Sequence, residues 1–483
     1  MSSSQNPRRW WILAILGIAQ LMVVLDATIV NIALPSAQEA LGFSDDSRQW
    51  IVTAYALAFG ALLLIGGRLG DLFGRKRIFV AGLLGFAAAS AIGGAAQSFG
   101  VLVGARAAQG AFGALLAPAA LSLLTTTFTD PDERGKAFGI YGAIAGGGGA
   151  VGLLLGGVLT EYLSWRWCLY VNLAFAIPAA AAALALLHDA ARAGRAHIDV
   201  PGTLTATGGL FALVYGFAQA ETHGWGTAST LGFLAGGVAL LAAFVAIERG
   251  AANPLLPLRV VLDRNRGGSY LATGIAGAGM FGVFLFLTYY LQQTLGYSPI
   301  QTGFAFLPML GALVLTATMS TAMLLPRVGP RPLVSLGMLL AASGMALLAQ
   351  LAVDSTYAAH VLPGLLVTGA GLGLVMAPAM STATLGVDER DAGVASASVN
   401  TMQQIGGSLG TTLLSTLSAS AVSSYTAGKP ASAEAAAHAA VHGYTTAFWW
   451  AAAIFAAGAL VSALLLRSGA SQIEPGAQPV LVH

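Results

Sequence analysis

Gly67-Arg68-Leu69-Gly70-Asp71-Leu72-Phe73-Gly74-Arg75-Lys76-Arg77 is a basic, glycine-punctuated string lodged between two apolar stretches, 49-68 and 78-98. About 20 apolar residues span a hydrocarbon core of about 30 Å, so the string reads as a tight turn between two membrane-crossing helices. Its glycines permit the turn and a close helix approach, and Asp71 is placed to meet a helix N-terminus or a basic side chain. The same alternation continues in both directions. With 56% hydrophobic residues, 9% charged residues and a mean hydropathy of +0.76, the chain lies far from the roughly 25% charge of a soluble domain. It reads as an all-α integral membrane protein.

Fourteen spans follow, at approximately 10-35, 49-68, 78-98, 101-127, 137-160, 167-187, 201-220, 229-247, 268-292, 301-325, 332-352, 358-381, 392-420 and 446-466. The bias of Lys and Arg toward cytoplasmic loops tests that count, because one missed or invented span scrambles every later loop. With both termini cytoplasmic, eighteen of the 22 basic residues fall on that side: Arg8, Arg9, Arg68, Arg75, Lys76, Arg77, Arg134, Lys136, Arg192, Arg195, Arg249, Arg259, Arg264, Arg266, Arg327, Arg331, Arg390 and Arg467. Arg48, Arg166 and Lys429 fall outside, and Arg106 falls within the fourth span. The basic residues thus serve topology, and the net charge of +2 gives no sign of nucleic-acid binding. Arg8-Arg9 precedes an apolar run too long for a signal-peptide core, so the first span is read as a retained helix. Cys168 is the only cysteine, which excludes an intramolecular disulfide or a cysteine metal cluster.

Asp26 is the one acid well inside a span, in Leu25-Asp26-Ala27-Thr28-Ile29-Val30-Asn31. A carboxylate at mid-bilayer costs roughly 2.5–3.5 kcal/mol, so such a group faces a wet cavity or a partner and marks an ion or substrate path. At 1.5 Å per residue, Asp26 lies about 24 Å from the cytoplasmic end of its span and Arg106 about 10 Å from the outer end of its own. Arg106 therefore either pairs with Asp26 or snorkels to the outer surface.

Three strings of the first half return in the second at an offset of about 255–260 residues: Leu41-Gly42-Phe43-Ser44 as Leu295-Gly296-Tyr297-Ser298, Ala117-Pro118-Ala119 as Ala377-Pro378-Ala379, and Asp132-Glu133-Arg134 as Asp388-Glu389-Arg390. They predict two six-helix halves, 10-187 and 268-467, separated by a linker at 188-267 that carries two inserted helices. Residues 468-483 form a disordered cytoplasmic tail. Parallel repeats of this kind hold substrate between the halves of a transporter.

Catalytic and nucleotide signatures are absent or misplaced. No Walker A string occurs; Gly277 to Gly282 matches GxGxxG and Gly406 to Gly410 matches GxSxG, but both lie mid-span, where helix packing explains them. His438 and His442 have the spacing of a metal pair without a third ligand, and the stretch Ala431 to His442 reads as a short exposed loop helix. No metal, no cofactor and no enzymatic activity are expected.

The Gly67–Arg77 loop resembles the signature loop of the major facilitator superfamily, GxLaDrxGrkxxl, and Leu102 to Gly113 is similar to that superfamily's fourth-helix motif. Gly146 to Gly157 resembles its antiporter motif, without the prolines expected near Gly149 and Leu153; the run Gly146 to Gly149 stands in as a source of a bend. Trp165-Arg166-Trp167, Tyr170-Val171-Asn172, the Leu25 to Pro35 string and fourteen spans are similar to the drug:proton antiporter branch, the EmrB/QacA type, as are Tyr289-Tyr290-Leu291-Gln292-Gln293 and Asn400, Gln403 and Gln404.

That resemblance implies a major facilitator fold and a proton-coupled exporter of amphiphilic small molecules such as antibiotics. It assigns proton coupling to Asp26 and Arg106, and gating to Gly67, Asp71, Gly74 and Arg75. Asn31, Tyr55, Phe59, Gln109, Phe284, Tyr289, Gln292, Asn400, Gln403 and Gln404 would line the substrate cavity. The last three share a helix face at i, i+3 and i+4, which also suits hydrogen bonds to neighbouring helices. The later spans add no carboxylate, which favours neutral, monocationic or weakly acidic substrates over dications. The expected partners are a small amphiphilic substrate, protons and the lipid bilayer of a bacterial cytoplasmic membrane, with no nucleic acid and a monomeric chain. A narrow-specificity metabolite transporter of the same fold is the alternative, and a polytopic membrane enzyme a remote one.

Overall fold

The computed structural model describes residues 8–44, 47–128, 131–187, 199–251, 256, 258–384, 392–427, 430 and 432–468. The tail from 469 onward lies outside them. Among the described residues fourteen long helices overlap the predicted spans: α1 (Arg9–Leu41), α2 (Gln49–Phe73), α3 (Arg75–Gly94), α4 (Phe99–Thr127), α5 (Pro131–Tyr162), α6 (Trp167–Leu186), α7 (Val200–His223), α8 (Ala228–Gly250), α9 (Arg264–Tyr289), α10 (Pro299–Met319), α11 (Pro330–Leu348), α12 (Leu362–Thr384), α13 (Ala392–Thr426) and α14 (Ala433–Leu465). No strand occurs among the described residues.

Counted over the described residues alone, eleven of these helices are long and apolar enough to cross a membrane. Of the other three, α2 contributes a shorter apolar stretch, Gln49–Leu63. α14 departs from expectation at its start. The predicted loop helix is its first turns, because the alanine-rich run continues through Gly443, which packs on Val422 and Ser418 instead of breaking the helix. Among the described residues no three His, Cys, Asp or Glu side chains gather as a metal site.

The repeat is visible in the packing. α1 pairs with α5 and α6, α2 with α4, and α3 with α4 and α6; eight helices later, α9 pairs with α13 and α14, α10 with α12, and α11 with α12 and α14. The halves meet reciprocally, α2 against α13 and α10 against α5, while α7 packs on α8 and also touches α2 and α13. The repeated Leu-Gly-aromatic-Ser strings make the same turn: Gly42 and Gly296 have φ of +65° and +68°, left-handed values that glycine adopts without strain. Gly74, between α2 and α3, has a counterpart in Gly329, between α10 and α11, with φ of +97° and +77°.

Basic residues at or just before helix starts also finish other helices. Lys76 donates to the carbonyls of Leu184 and Leu187 at 2.9 and 2.6 Å, Arg166 to those of Gly94 and Ala96 at 2.9 and 2.5 Å, and Arg264 to that of Leu465 at 2.7 Å. Each satisfies carbonyls that a helix end leaves without an intrahelical donor.

Glycine sets the register of the inner helices. A Cβ at Gly152 would meet Thr28 Oγ1 at 2.0 Å and one at Gly156 would meet Ile29 Cγ1 at 2.9 Å, so α5 lies directly on the stretch of α1 that carries Asp26. In the second half Gly406 and Gly410 of α13 approach Gly274 and Ala278 of α9 as closely. The literal GxGxxG and GxSxG strings are thus two faces of one helix contact. The glycine run of α5 does not interrupt it; the helix is continuous for 32 residues.

Candidate functional site

Asp26 is fully buried in α1, and three side chains from three other positions converge on its carboxylate. Arg106 of α4 donates from Nη1 to Oδ2 at 2.6 Å. Oδ1 accepts from Gln109 Nε2 at 2.9 Å and from Asn172 Nδ2 of α6 at 2.7 Å. Gln109 Oε1 faces the Arg106 guanidinium at 2.9 Å while its amide nitrogen also donates to Ser90 Oγ of α3 at 2.7 Å. Only one orientation of that amide places oxygen toward the cation and nitrogen toward the anion.

The guanidinium is held on its other sides as well. Its Nε donates to the Ile51 carbonyl of α2 at 3.1 Å, and Cζ stands 4.5 Å from the Tyr55 ring centroid. Arg106 is 1% exposed, which rules out snorkelling to a surface. This position follows from helix packing: a Cβ at Gly110, one turn on from Arg106, would meet the Tyr55 carbonyl at 2.3 Å, so α4 lies hard against α2. Charge-assisted hydrogen bonds of this kind are about twice as strong as neutral ones, and breaking a buried ion pair by removing one member costs about 3–5 kcal/mol.

Two polar atoms at the rim of this cluster have no hydrogen-bond partner among the described residues, the Tyr55 hydroxyl and Asn172 Oδ1. Beside them a small apolar pocket, with room for about one water, runs from Arg106 toward the C-terminal end of α1 between Val30, Ala33, Leu34, Ile51 and Leu169. The arrangement is a buried carboxylate with both oxygens hydrogen-bonded and a guanidinium in direct contact.

The remaining expected residues fall into three groups. Tyr55 and Phe59 stack at 5.9 Å beside the cluster, and Asn31 donates to the Ala27 carbonyl of its own helix at 3.1 Å. Gln109, expected to line a cavity, is a buried member of the Asp26 network instead. Tyr289 and Gln292 join the halves at the face where α1 ends: the Tyr289 hydroxyl donates to Gln38 Oε1 at 2.5 Å, and Gln292 Nε2 to the Ile32 carbonyl at 3.1 Å. Phe284 packs on Phe306 at 5.2 Å. Asn400 is exposed and Gln403 and Gln404 are half-buried, on the α13 face that reaches Gly60 of α2 through Gln404. Of the gating string, Gly67 packs on Pro118, Gly74 makes the positive-φ turn and Arg75 opens α3, while the Asp71 side chain lies outside the described residues.

Sequence reasoning missed Asn172 and Ser90 as members of the site. Their signal was a buried amide and a hydroxyl in otherwise apolar spans, the first within the quoted Tyr170-Val171-Asn172. It also missed Arg48, whose guanidinium lies 4.1 Å from the Tyr289 ring centroid.

The model of the Major Facilitator Superfamily matches residues 16–411. A puromycin resistance protein of Streptomyces alboniger is 56% identical over 85% of this chain and 82% of its own length. A cephamycin export protein of Amycolatopsis lactamdurans is 42% identical over 82% of each chain, and a lincomycin resistance protein of Streptomyces lincolnensis is 36% identical over 84% of each. Among solved structures, a POT family peptide transporter in an autoinhibited state superposes with a TM-score of 0.69 at 18% identity, covering 97% of this chain and 99% of that one. An inward-facing bacterial homologue of the lysosomal transporter Spinster gives 0.66 at 17% identity, over 95% and 97%.

Proposed function

Because this chain belongs to the major facilitator superfamily, we propose that it is a proton-coupled exporter of amphiphilic small molecules, antibiotics among them, working by alternating access in a bacterial cytoplasmic membrane. The observation that carries the reading is the Asp26–Arg106 pair: one buried acid and one buried base, held at 2.6 Å between two helices of the first half. Names of relatives that refer to puromycin, cephamycin and lincomycin, three chemically unlike antibiotics, support a cargo defined by amphiphilicity more than by one functional group. A mostly apolar lining with few directional contacts tolerates such variety.

In this reading both termini are cytoplasmic, which the distribution of basic residues supports, and the face where α1 ends is the outer one. Residues 10–187 and 268–467 are the two moving halves, and 188–267 carries the inserted pair. The contacts of Tyr289, Gln292 and Arg48 across the seam support an outer-closed arrangement. Asp26 takes a proton from outside when the outer seam opens. Movement of Arg106 toward the carboxylate then favours proton release inward, because a nearby cation stabilises the charged form. The orphan Tyr55 hydroxyl and Asn172 carbonyl offer polar anchors next to that carboxylate, and Gly67, Asp71, Gly74 and Arg75 latch the cytoplasmic ends of α2 and α3. Cargo lies between the halves against Phe59, Phe284 and the α13 amides.

The test is a proteoliposome assay in which an imposed pH gradient drives accumulation of puromycin and of a chemically unrelated dye, with internal pH followed in parallel. Coupled movement of cargo and protons is expected for both compounds. Uptake of either without proton flux ends the antiport reading, and movement of one compound alone favours a narrow-specificity transporter.

A further inference from the structure

Arg48 is the residue before α2 and belongs to the first half, yet its guanidinium lies among aromatic rings of the second. Its Cζ stands 4.1 Å from the ring centroid of Tyr289, 5.8 Å from that of Tyr444 and 6.0 Å from that of Phe286. Arg48 is 6% exposed and the three rings are buried. A cation over an aromatic face is attracted by the ring quadrupole, more strongly where water is excluded, and boxes of such rings recognise ammonium ligands by the same physics.

The box is braced from behind. The Tyr289 hydroxyl donates to Gln38 at 2.5 Å, the Tyr444 hydroxyl donates to Gln293 at 3.2 Å, and Phe286 meets Phe448 edge-on at 6.4 Å. Gln38 and Gln293 also line a cavity of about 600 Å³ at the outer face, together with Ser36, Glu39, Gln292 and Tyr297. The aromatic box therefore adjoins a polar vestibule that carries a carboxylate, and the side chain filling it comes from the opposite half. Any separation of the halves at this face draws Arg48 out of the box.

We propose that Phe286, Tyr289 and Tyr444 form a binding station for organic cations on the exit side of the transport path, vacated by Arg48 when the outer face opens and refilled by it on closure. The returning guanidinium displaces the cationic group of the cargo into the vestibule beside Glu39, so closure and expulsion are one movement. The proposal rests on the exporter reading, which supplies the opening, and it narrows the cargo served at this station to amphiphiles bearing a positive charge.

Tetraphenylphosphonium is a suitable probe, with neutral triphenylphosphine oxide as the control, in equilibrium binding to the purified full chain. Removing the tethered competitor in Arg48→Gln is expected to tighten binding of the cation about three- to tenfold, the range a partly buried cation–π contact spans, and to leave the control unchanged. Arg48→Lys keeps a cation in the box and should bind the probe as the parent does. Adding Tyr289→Leu to Arg48→Gln should abolish the gain, whereas adding Tyr289→Phe, which keeps the ring and loses only the bond to Gln38, should preserve it.

The proposal is overturned if Arg48→Gln leaves the affinity for the cation unchanged. A rise for cation and control together also overturns it, since that is a loosened gate without cation recognition, as does equal loss with Leu and Phe at position 289. Binding needs no gradient, so its outcome is separable from that of transport. A chain with this binding pattern that exports nothing refutes the exporter reading alone, and an exporter without the pattern refutes the station alone.

Discussion

α1 and α9 occupy equivalent places in the two halves and pack on equivalent partners, yet their interiors differ in kind. At the depth where α1 carries Asp26, the offset between Leu41 and Leu295 puts Met280 in α9, followed by Phe281 and Gly282. Around Asp26 every carboxylate oxygen is hydrogen-bonded and its cation is held on several sides. Along α13, the partner of α9, the buried hydroxyls of Thr401, Ser408, Thr411 and Ser415 have no hydrogen-bond partner among the described residues, and glycines meet backbone directly. At the equivalent depth the spans of the second half carry no acidic or basic residue, so the same helix arrangement packs there without a charge of either sign. A buried pair is weak evidence for stability, which supports the proposal that the charge in the first half serves the working cycle.

The strongest way to break that contrast is to neutralise its centre. Asp26→Asn keeps the shape and an acceptor oxygen but cannot exchange a proton, and gradient-driven export should fall to the level of empty liposomes, while Asp26→Glu should retain part of it. Full pH-dependent efflux by the Asn variant would remove Asp26 from the coupling mechanism.

Next in size is Arg106→Met. It leaves Asp26 buried without its cation and should cost about 3–5 kcal/mol in denaturant unfolding of the detergent-solubilised protein. In combination with Asp26→Asn the loss should be distinctly smaller, because the stranded charge is gone. Equal losses in the single and double variants would mean that Arg106 acts through packing on Tyr55 and the Ile51 carbonyl and not through the carboxylate.

Gly152→Ala probes the scaffold beneath the charge. The new Cβ would meet Thr28 Oγ1 at 2.0 Å and the Leu25 carbonyl at 3.0 Å, and backbone gives way less readily than the end of a side chain. Overpacking of this sort costs about 1–3 kcal/mol. Because it pushes on the residues flanking Asp26, the same variant should also shift the pH profile of export, which a purely structural glycine would leave in place.

Much of this was legible in the sequence because membrane helices leave coarse signals. Twenty apolar residues, a basic loop and a left-handed glycine recur in register, so the helix positions and the repeat followed from Gly42 and Gly296 as strings before they were seen as turns. Asp26 and Arg106 were legible because a charge in an apolar span has few explanations. Asn172 and Ser90 were not, since an uncharged polar side chain in a membrane helix is common and only three-dimensional convergence gives it a role. Gln109 was placed in a cavity by the resemblance alone, and its contacts with Asp26, Arg106 and Ser90 are visible only in three dimensions. Arg48 was counted as a topological exception, and nothing in the linear order brings it to Tyr289 and Tyr444, more than 200 residues away.

The smallest effect gives the sharpest comparison, because one chemical change can be made in both halves. Ser90 and Ser408 are both buried serines on glycine-rich helices, 0% and 1% exposed. Ser90 Oγ accepts from Gln109, which in turn holds Asp26, so Ser90→Ala leaves an amide N–H unpaired in low dielectric and should cost about 1–3 kcal/mol. Ser408 Oγ has no hydrogen-bond partner among the described residues; Ser408→Ala removes a hydroxyl that gains nothing from burial, and its stability should change by less than about 1 kcal/mol, with the sign toward stabilisation. Export should follow the same division, slowed by the change at Ser90 and untouched by the change at Ser408. A cost at Ser408 as large as that at Ser90 would show that the second half also contains a working polar network, and the asymmetry on which the proton mechanism rests would be lost.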